Sequence, residues 1–226
     1  PLGNTLFILI SEFPQFLLPT IRSRCQRVRF GALRPETVTD ILMRERDVSN
    51  DTALAIAAVS QGQLSRALDL VDSDKRTVVF DVVQRLSSGE DPLALAEEFS
   101  GYLGGQKARL ESAAKEADDA PDRSELSKED RERIKEEQQA LVDALIRRDT
   151  MEHLYLFETW YRDTLVYSAT GDYEHILNRD HQALLGKADV ETTAEKLGAI
   201  EKARLYLERF LNEERVFRDL FFALAG

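Results

Sequence analysis

The spacing of apolar residues changes character once along this chain, and that change constrains the fold more than any other feature. Leu6-Phe7-Ile8-Leu9-Ile10 is a continuous apolar run, the pattern of a strand buried on both faces of a parallel sheet. Arg27-Val28-Arg29-Phe30 alternates polar with apolar, as a second, half-exposed strand does. Residues 12–25 lie between them, carry Pro14 and Pro19, and read as a loop with a short helix. Two strands cannot bury both of their faces, so the segment reads as the tail of a larger α/β domain. Pro1-Leu2-Gly3 reads either as native sequence or as the scar of a cleaved tag.

From Pro35 onward the period is helical. Pro35 suits the first turn of a helix running to about Arg46. Ser49-Asn50-Asp51 supplies caps for a second helix with Leu54, Ile56, Ala57 and Val59 on its apolar side. Gly62 ends it, and Leu64, Ala67, Leu68 and Val71 mark a third. Residues 33–73 are thus a small three-helix unit, too small to be stable without leaning on neighbours. From Asp74 the helices lengthen. Residues 151–168 carry Leu154, Phe157, Trp160, Tyr161 and Leu165 as a broad stripe. Leu197, Ile200, Ala203, Leu207 and Phe210 follow at heptad-like spacing, and Phe217, Leu220, Phe221 and Leu224 close the chain. The expectation is a mainly α protein with a helical bundle over residues 74–226.

Composition fits that reading. Of 226 residues only 11 are Gly and 6 Pro, and the 43% hydrophobic content is enough for packed cores. The single Cys excludes a disulfide framework and an all-Cys zinc cage, and fits a reducing cytoplasm. No apolar run approaches the ~20 residues that cross a bilayer, so no membrane partner is expected. Thirty Lys and Arg against 41 Asp and Glu leave a formal charge of -11, which argues against a surface that coats nucleic acid. The acid excess is expected in the charge-dense residues 107–148 and on exposed helix faces, since the first thirty residues are locally basic. That dense segment reads as a solvated helical hairpin divided at Pro121, as a partly disordered insertion, or as a docking arm.

Much familiar chemistry is missing. Gly186-Lys187 lacks the upstream Gly and the following Ser or Thr of a phosphate loop, so the chain is not expected to hold a nucleoside triphosphate or other cofactor by itself. His153, His175 and His181 are scattered; the last two sit near Asp172 and Asp180 in what reads as a polar surface turn rather than a metal site. Cys25 has no base at a diagnostic spacing and reads as a small buried packing residue. The informative stretch is Leu17-Leu18-Pro19-Thr20-Ile21-Arg22-Ser23-Arg24-Cys25-Gln26. Its arginines either pair with local carboxylates, for example Arg22 with Glu12, or one of them serves as an arginine finger. Such a finger offers a fixed charge to the phosphates of a neighbouring subunit.

Pro14-Gln15, Leu18-Pro19-Thr20-Ile21 and above all Ser23-Arg24-Cys25 resemble the Ser-Arg-Cys region of bacterial and eukaryotic clamp-loader subunits, members of the AAA+ superfamily. The order of segments is similar too. The resemblance implies that residues 1–32 are the C-terminal end of an AAA+ α/β domain, residues 33–73 a three-helix lid, and residues 74–226 a helical collar. Gly62-Gln63-Leu64-Ser65-Arg66-Ala67-Leu68 is similar to the stretch that carries a sensor 2 arginine in ATP-binding subunits. Ser65 stands at that position here and Arg66 one place later, a departure that a subunit without ATP hydrolysis tolerates. By resemblance, Arg24 is then the arginine finger used in trans, with Ser23 and Cys25 supporting the motif. The implied partners are ATPase subunits of the gamma/tau type and the delta subunit, bound through the collar. The sliding clamp and primer–template DNA join them in the assembled complex. A truncated gamma/tau-type ATPase subunit and a stand-alone helical scaffold are the alternatives.

Overall fold

The computed structural model describes residues 5–118 and 128–226, and these divide into two compact units, Pro1–Ala32 and Leu33–Gly226. In the first unit the regular elements among the described residues are a 3₁₀ turn over Pro14–Phe16 and the short helix α1, Pro19–Arg22. The two expected strands are absent: no strand occurs among the described residues, and residues 6–10 stand in solvent, with Ile10 96% exposed. The reason is physical. An extended segment becomes a strand only when another backbone satisfies its N–H and C=O groups, and residues 5–32 supply no such partner.

In the second unit the regular elements among the described residues are all helical. Helix α2, Pro35–Arg46, starts with Pro35 at its first turn, where a missing N–H costs nothing, and stops at Asp47 in the left-handed region. Helix α3, Asn50–Val59, is capped by Ser49, whose hydroxyl accepts from the Thr52 N–H at 3.2 Å. Gln61 and Gly62, with φ of 53° and 77°, turn the chain into α4, Leu64–Asp72. Val38, Leu42, Ala53, Ile56, Val59, Ala67 and Leu70 are buried where these three helices meet.

Helices α5 (Lys75–Ser87), α6 (Pro92–Asp118) and α7 (Lys128–Thr170) come next. A 3₁₀ segment over Arg179–Leu184 precedes α8 (Val190–Glu208) and α9 (Glu213–Ala225). Asp189 and Asn212 cap the last two, accepting from the N–H groups of Thr192 and Arg215. The centre is aromatic. Phe99 packs edge-on against Phe217 at 4.9 Å and Phe157 at 5.8 Å, and Phe221 closes the group. Phe80 sits 5.4 Å from Trp160. The stripe Leu154, Phe157, Trp160 and Tyr161 is buried as expected, and so are Phe217, Leu220, Phe221 and Leu224.

Three sequence expectations are corrected here. Phe210, placed with the core positions of α8, is 79% exposed because the helix ends at Glu208 and the chain turns before the ring can face inward. The polar turn beyond α7 is more than surface: Asn178 is fully buried against the buried Asp163 of α7, and the Asp180 side chain is nearly so. The acid excess does not sit in residues 107–148, which carry ten basic against twelve acidic side chains; it is spread over the segments on either side. The described parts of that charged segment are the end of α6 and the start of α7, largely exposed apart from an inward seam that includes Leu110, Ile134 and Val142. Pro121 lies outside the described residues.

Candidate functional site

The Ser-Arg-Cys stretch is built by the turn that ends α1. Pro19 starts the helix, and the N–H of Ser23 donates to the Pro19 carbonyl at 3.0 Å. The Ser23 hydroxyl donates to the Thr20 carbonyl at 3.2 Å, and the Arg24 N–H donates to the Ile21 carbonyl at 3.1 Å. The backbone at Arg24 is therefore set by its own turn, while the guanidinium stands in solvent with no carboxylate partner among the described residues. Arg22 does not pair with Glu12. Cys25 is exposed, contrary to the expectation of a packed thiol, because no apolar layer in residues 5–32 covers it. The stretch thus presents Arg24 as an unneutralised, permanently charged donor on a short constrained turn.

The second sequence candidate, Ser65-Arg66, lies in the helical unit and meets a different environment. Ser65 is exposed. Arg66 reaches from α4 to α7, where its Nε donates to Glu152 at 2.8 Å and its guanidinium lies 4.1 Å from the centre of the Tyr155 ring. Both charged side chains are largely withdrawn from water, so the pair is stronger than an open surface bridge. The Tyr155 hydroxyl donates to the Val59 carbonyl and accepts from Gln61, fastening the end of α3 to the same helix.

Beside this pair a cleft of about 420 Å³ opens between α4, α7 and α8, bordered by Gln63, Ser65, Arg66, Lys75, Arg148, Glu152 and Glu208. Lys75 donates to Asp69 and to Asp149, each at 2.6 Å. Burial works to lower the pKa of its ammonium, but the hydrogen bonds to Asp149 and Asp69 outweigh that, and it ends above the ordinary lysine value. Arg66 and Lys75 on the floor of the cleft are thereby matched by carboxylates, which makes that floor a set of interhelical ties, while the exposed Arg148 on its border holds none among the described residues. Lys75 and Asp149 had no signal in the sequence, since their pairing joins positions on separate helices.

The histidines separate by environment. His153 is fully buried between Phe99 and Tyr102, with Nδ1 2.8 Å from the Asp149 carbonyl. His181 packs on Phe80 at 4.1 Å, next to Asp180, which takes a two-pronged hydrogen bond from Arg76 at 2.9 Å on each oxygen. Among the described residues no group of three or more His, Cys, Asp or Glu side chains converges as a metal site, and no helix is long and apolar enough to cross a membrane.

A stretch of about a third of the chain is similar to clamp-loader subunits, a delta-prime subunit among them. It is 39% identical over 75 residues, 33% of this chain, to DNA polymerase III subunit delta′ of Bacillus subtilis (strain 168). It is 36% identical over 75 residues, 31% of this chain, to replication factor C subunit 5 of Mus musculus and of Homo sapiens. In each case the match spans 22% of the relative's own length. No family model matches the chain, and no solved structure matches it significantly.

Proposed function

We propose that this chain is the C-terminal portion of a delta-prime-type subunit of the DNA polymerase III clamp loader, acting in DNA replication in a bacterial cytoplasm. In this reading residues 1–32 end an AAA+ domain, residues 33–73 form the lid and residues 74–226 the collar, with residues 107–148 as a charged insertion. The chain carries no complete active site and is a non-catalytic member of the holoenzyme. The collar packs against gamma/tau ATPase subunits and delta, and the assembled ring handles the sliding clamp and primer–template DNA.

Arg24 is the residue with a chemical role. Its guanidinium reaches the ATP site of the adjacent ATPase subunit and stabilises charge on the transferring phosphoryl group, with Ser23 holding the turn and Cys25 completing the motif. The observation that carries this is the local kinship to delta′ together with an Arg24 left without a carboxylate partner. The engagement of Arg66 by Glu152 favours this reading over a truncated gamma/tau-type ATPase, which would want an arginine near that position free for phosphate.

The test is reconstitution of the full-length protein with the other loader subunits. An arginine finger is worth about 10³–10⁵ in rate at the site it serves. Arg24→Ala should therefore silence the neighbouring ATP site while the ring still assembles, lowering DNA-stimulated ATP hydrolysis and clamp loading. Unchanged loading by that variant would remove the role given to Arg24.

A further inference from the structure

Helix α8 ends in a Schellman turn: the Phe210 N–H donates to the Leu207 carbonyl at 3.0 Å, and the Leu211 N–H to the Tyr206 carbonyl at 3.1 Å. The residue at the left-handed position of such a turn is usually Gly, because a Cβ there meets the backbone. Here it is Phe210, with φ of 60°. The ring gains little burial in return. It is 79% exposed, and its one described ring contact is the Arg147 guanidinium, 3.9 Å from its centre. Leu211, next in the chain, and Leu141 on α7 are also exposed.

The charges around this ring are open as well. Elsewhere on the helical unit, Arg46, Arg66, Arg76, Arg85, Arg162, Arg204 and Arg218 each hold a carboxylate, whereas Arg34, Arg179 and Arg215 stand apart without one among the described residues. Arg147, Arg148 and Arg209 hold none among the described residues, although Glu208 is adjacent and Asp143 lies one turn away on α7. In a chain with eleven acids in excess, Arg147 over the strained, exposed ring, its chain neighbour Arg148 and Arg209 next to Phe210 are all left unneutralised.

We propose that the end of α8, with the facing turn of α7, is a docking surface for an acidic peptide segment bearing an apolar anchor. The carboxylates of that segment take the guanidinium forks of Arg147, Arg148 and Arg209, and its apolar side chain lies on Phe210 and Leu211. Strain kept at an exposed aromatic is what a binding anchor requires and what a folding residue does not. A long polyanion is a poorer fit, because the helical unit bearing the patch carries 26 basic against 40 acidic side chains and repels extended negative charge at a distance. This surface is independent of the role given to Arg24.

The test pans a short random-peptide phage library against the full chain and measures selected peptides by fluorescence anisotropy across a salt series. The expected result is enrichment of Asp or Glu next to Phe, Leu or Trp, with binding that weakens as salt rises. Phe210→Gly should raise the melting temperature by relieving the left-handed strain, yet weaken peptide binding about tenfold or more. Arg147→Glu with Arg148→Glu should abolish binding and leave the far-ultraviolet dichroism unchanged. Four outcomes would overturn the proposal: no acidic enrichment; binding indifferent to Phe210→Gly; a Phe210→Gly chain that melts lower, which would make the ring a folding residue; or capture by the patch of labelled oligodeoxythymidylate or of a second copy of the chain instead.

Discussion

Asp163 should be the most costly single polar residue to remove. Its carboxylate is fully buried and accepts from the Leu177 N–H at 3.0 and 3.1 Å, the Asn178 N–H at 2.8 Å and the Asn178 side-chain amide at 2.9 Å. Arg162 donates to it from a partly exposed position at 2.7 Å. Asp163→Ala strands two backbone donors and one buried amide, each worth about 1–3 kcal/mol when left unsatisfied. Arg162 can turn to water and adds little. Relief of the buried carboxylate's desolvation offsets part of the loss, which leaves a net cost of about 3 kcal/mol. For a unit of this size that lowers the melting temperature by about 6–12 °C. Asp163→Asn keeps one acceptor and should cost about 2 kcal/mol. Urea titration reads both, with an unchanged m-value as the sign that the denatured state is not altered. Amide hydrogen exchange at residues 177 and 178 should accelerate first, because the segment between α7 and α8 loses its anchor before the core does. A cost below about 1 kcal/mol for Asp163→Ala would refute the view that this carboxylate organises the turn.

Two further outcomes follow from the same structure. Arg66→Ala, Glu152→Ala and the double variant form a cycle whose coupling should be about 1–2 kcal/mol, above that of an exposed pair; coupling near zero in urea melts would mean that Tyr155 packing alone joins α4 to α7. Burial lowers the His153 pKa below the ordinary histidine value, against the opposing pull of the Asp149 carbonyl and carboxylate. The folded chain stays unprotonated there while the unfolded chain takes up a proton. The stability this residue supports is therefore complete above about pH 6.5 and declines as pH falls toward the folded-state value, by at most about 1.4 kcal/mol per pH unit. His153→Gln should flatten the stability profile between pH 7 and pH 5.5, and an unchanged slope in urea titrations at stepped pH would show that other groups set it.

Local signals in the sequence carried most of the helical architecture. Pro35, the Ser49 cap and the break at Gly62 act within a few residues, so the first three helices of the long unit could be read directly, and the apolar stripe at Leu154, Phe157 and Trp160 marked the core of α7. The Ser23-Arg24-Cys25 turn was equally legible, because a short helix after Pro19 needs only its own backbone. Tertiary structure alone decided the rest. Residues 6–10 have the composition of a buried strand, but strand formation depends on a partner that composition cannot supply. Lys75, Arg76 and Asp163 looked like ordinary charges, and Arg66 only like a displaced motif residue, until the fold brought Asp149, Asp180, Asn178 and Glu152 against them. Phe210 kept heptad spacing yet fell two residues past the end of α8, where its own left-handed backbone turns the chain and leaves the ring in water. Period and caps are properties of neighbouring residues. Pairing and burial are properties of what the finished fold places beside them.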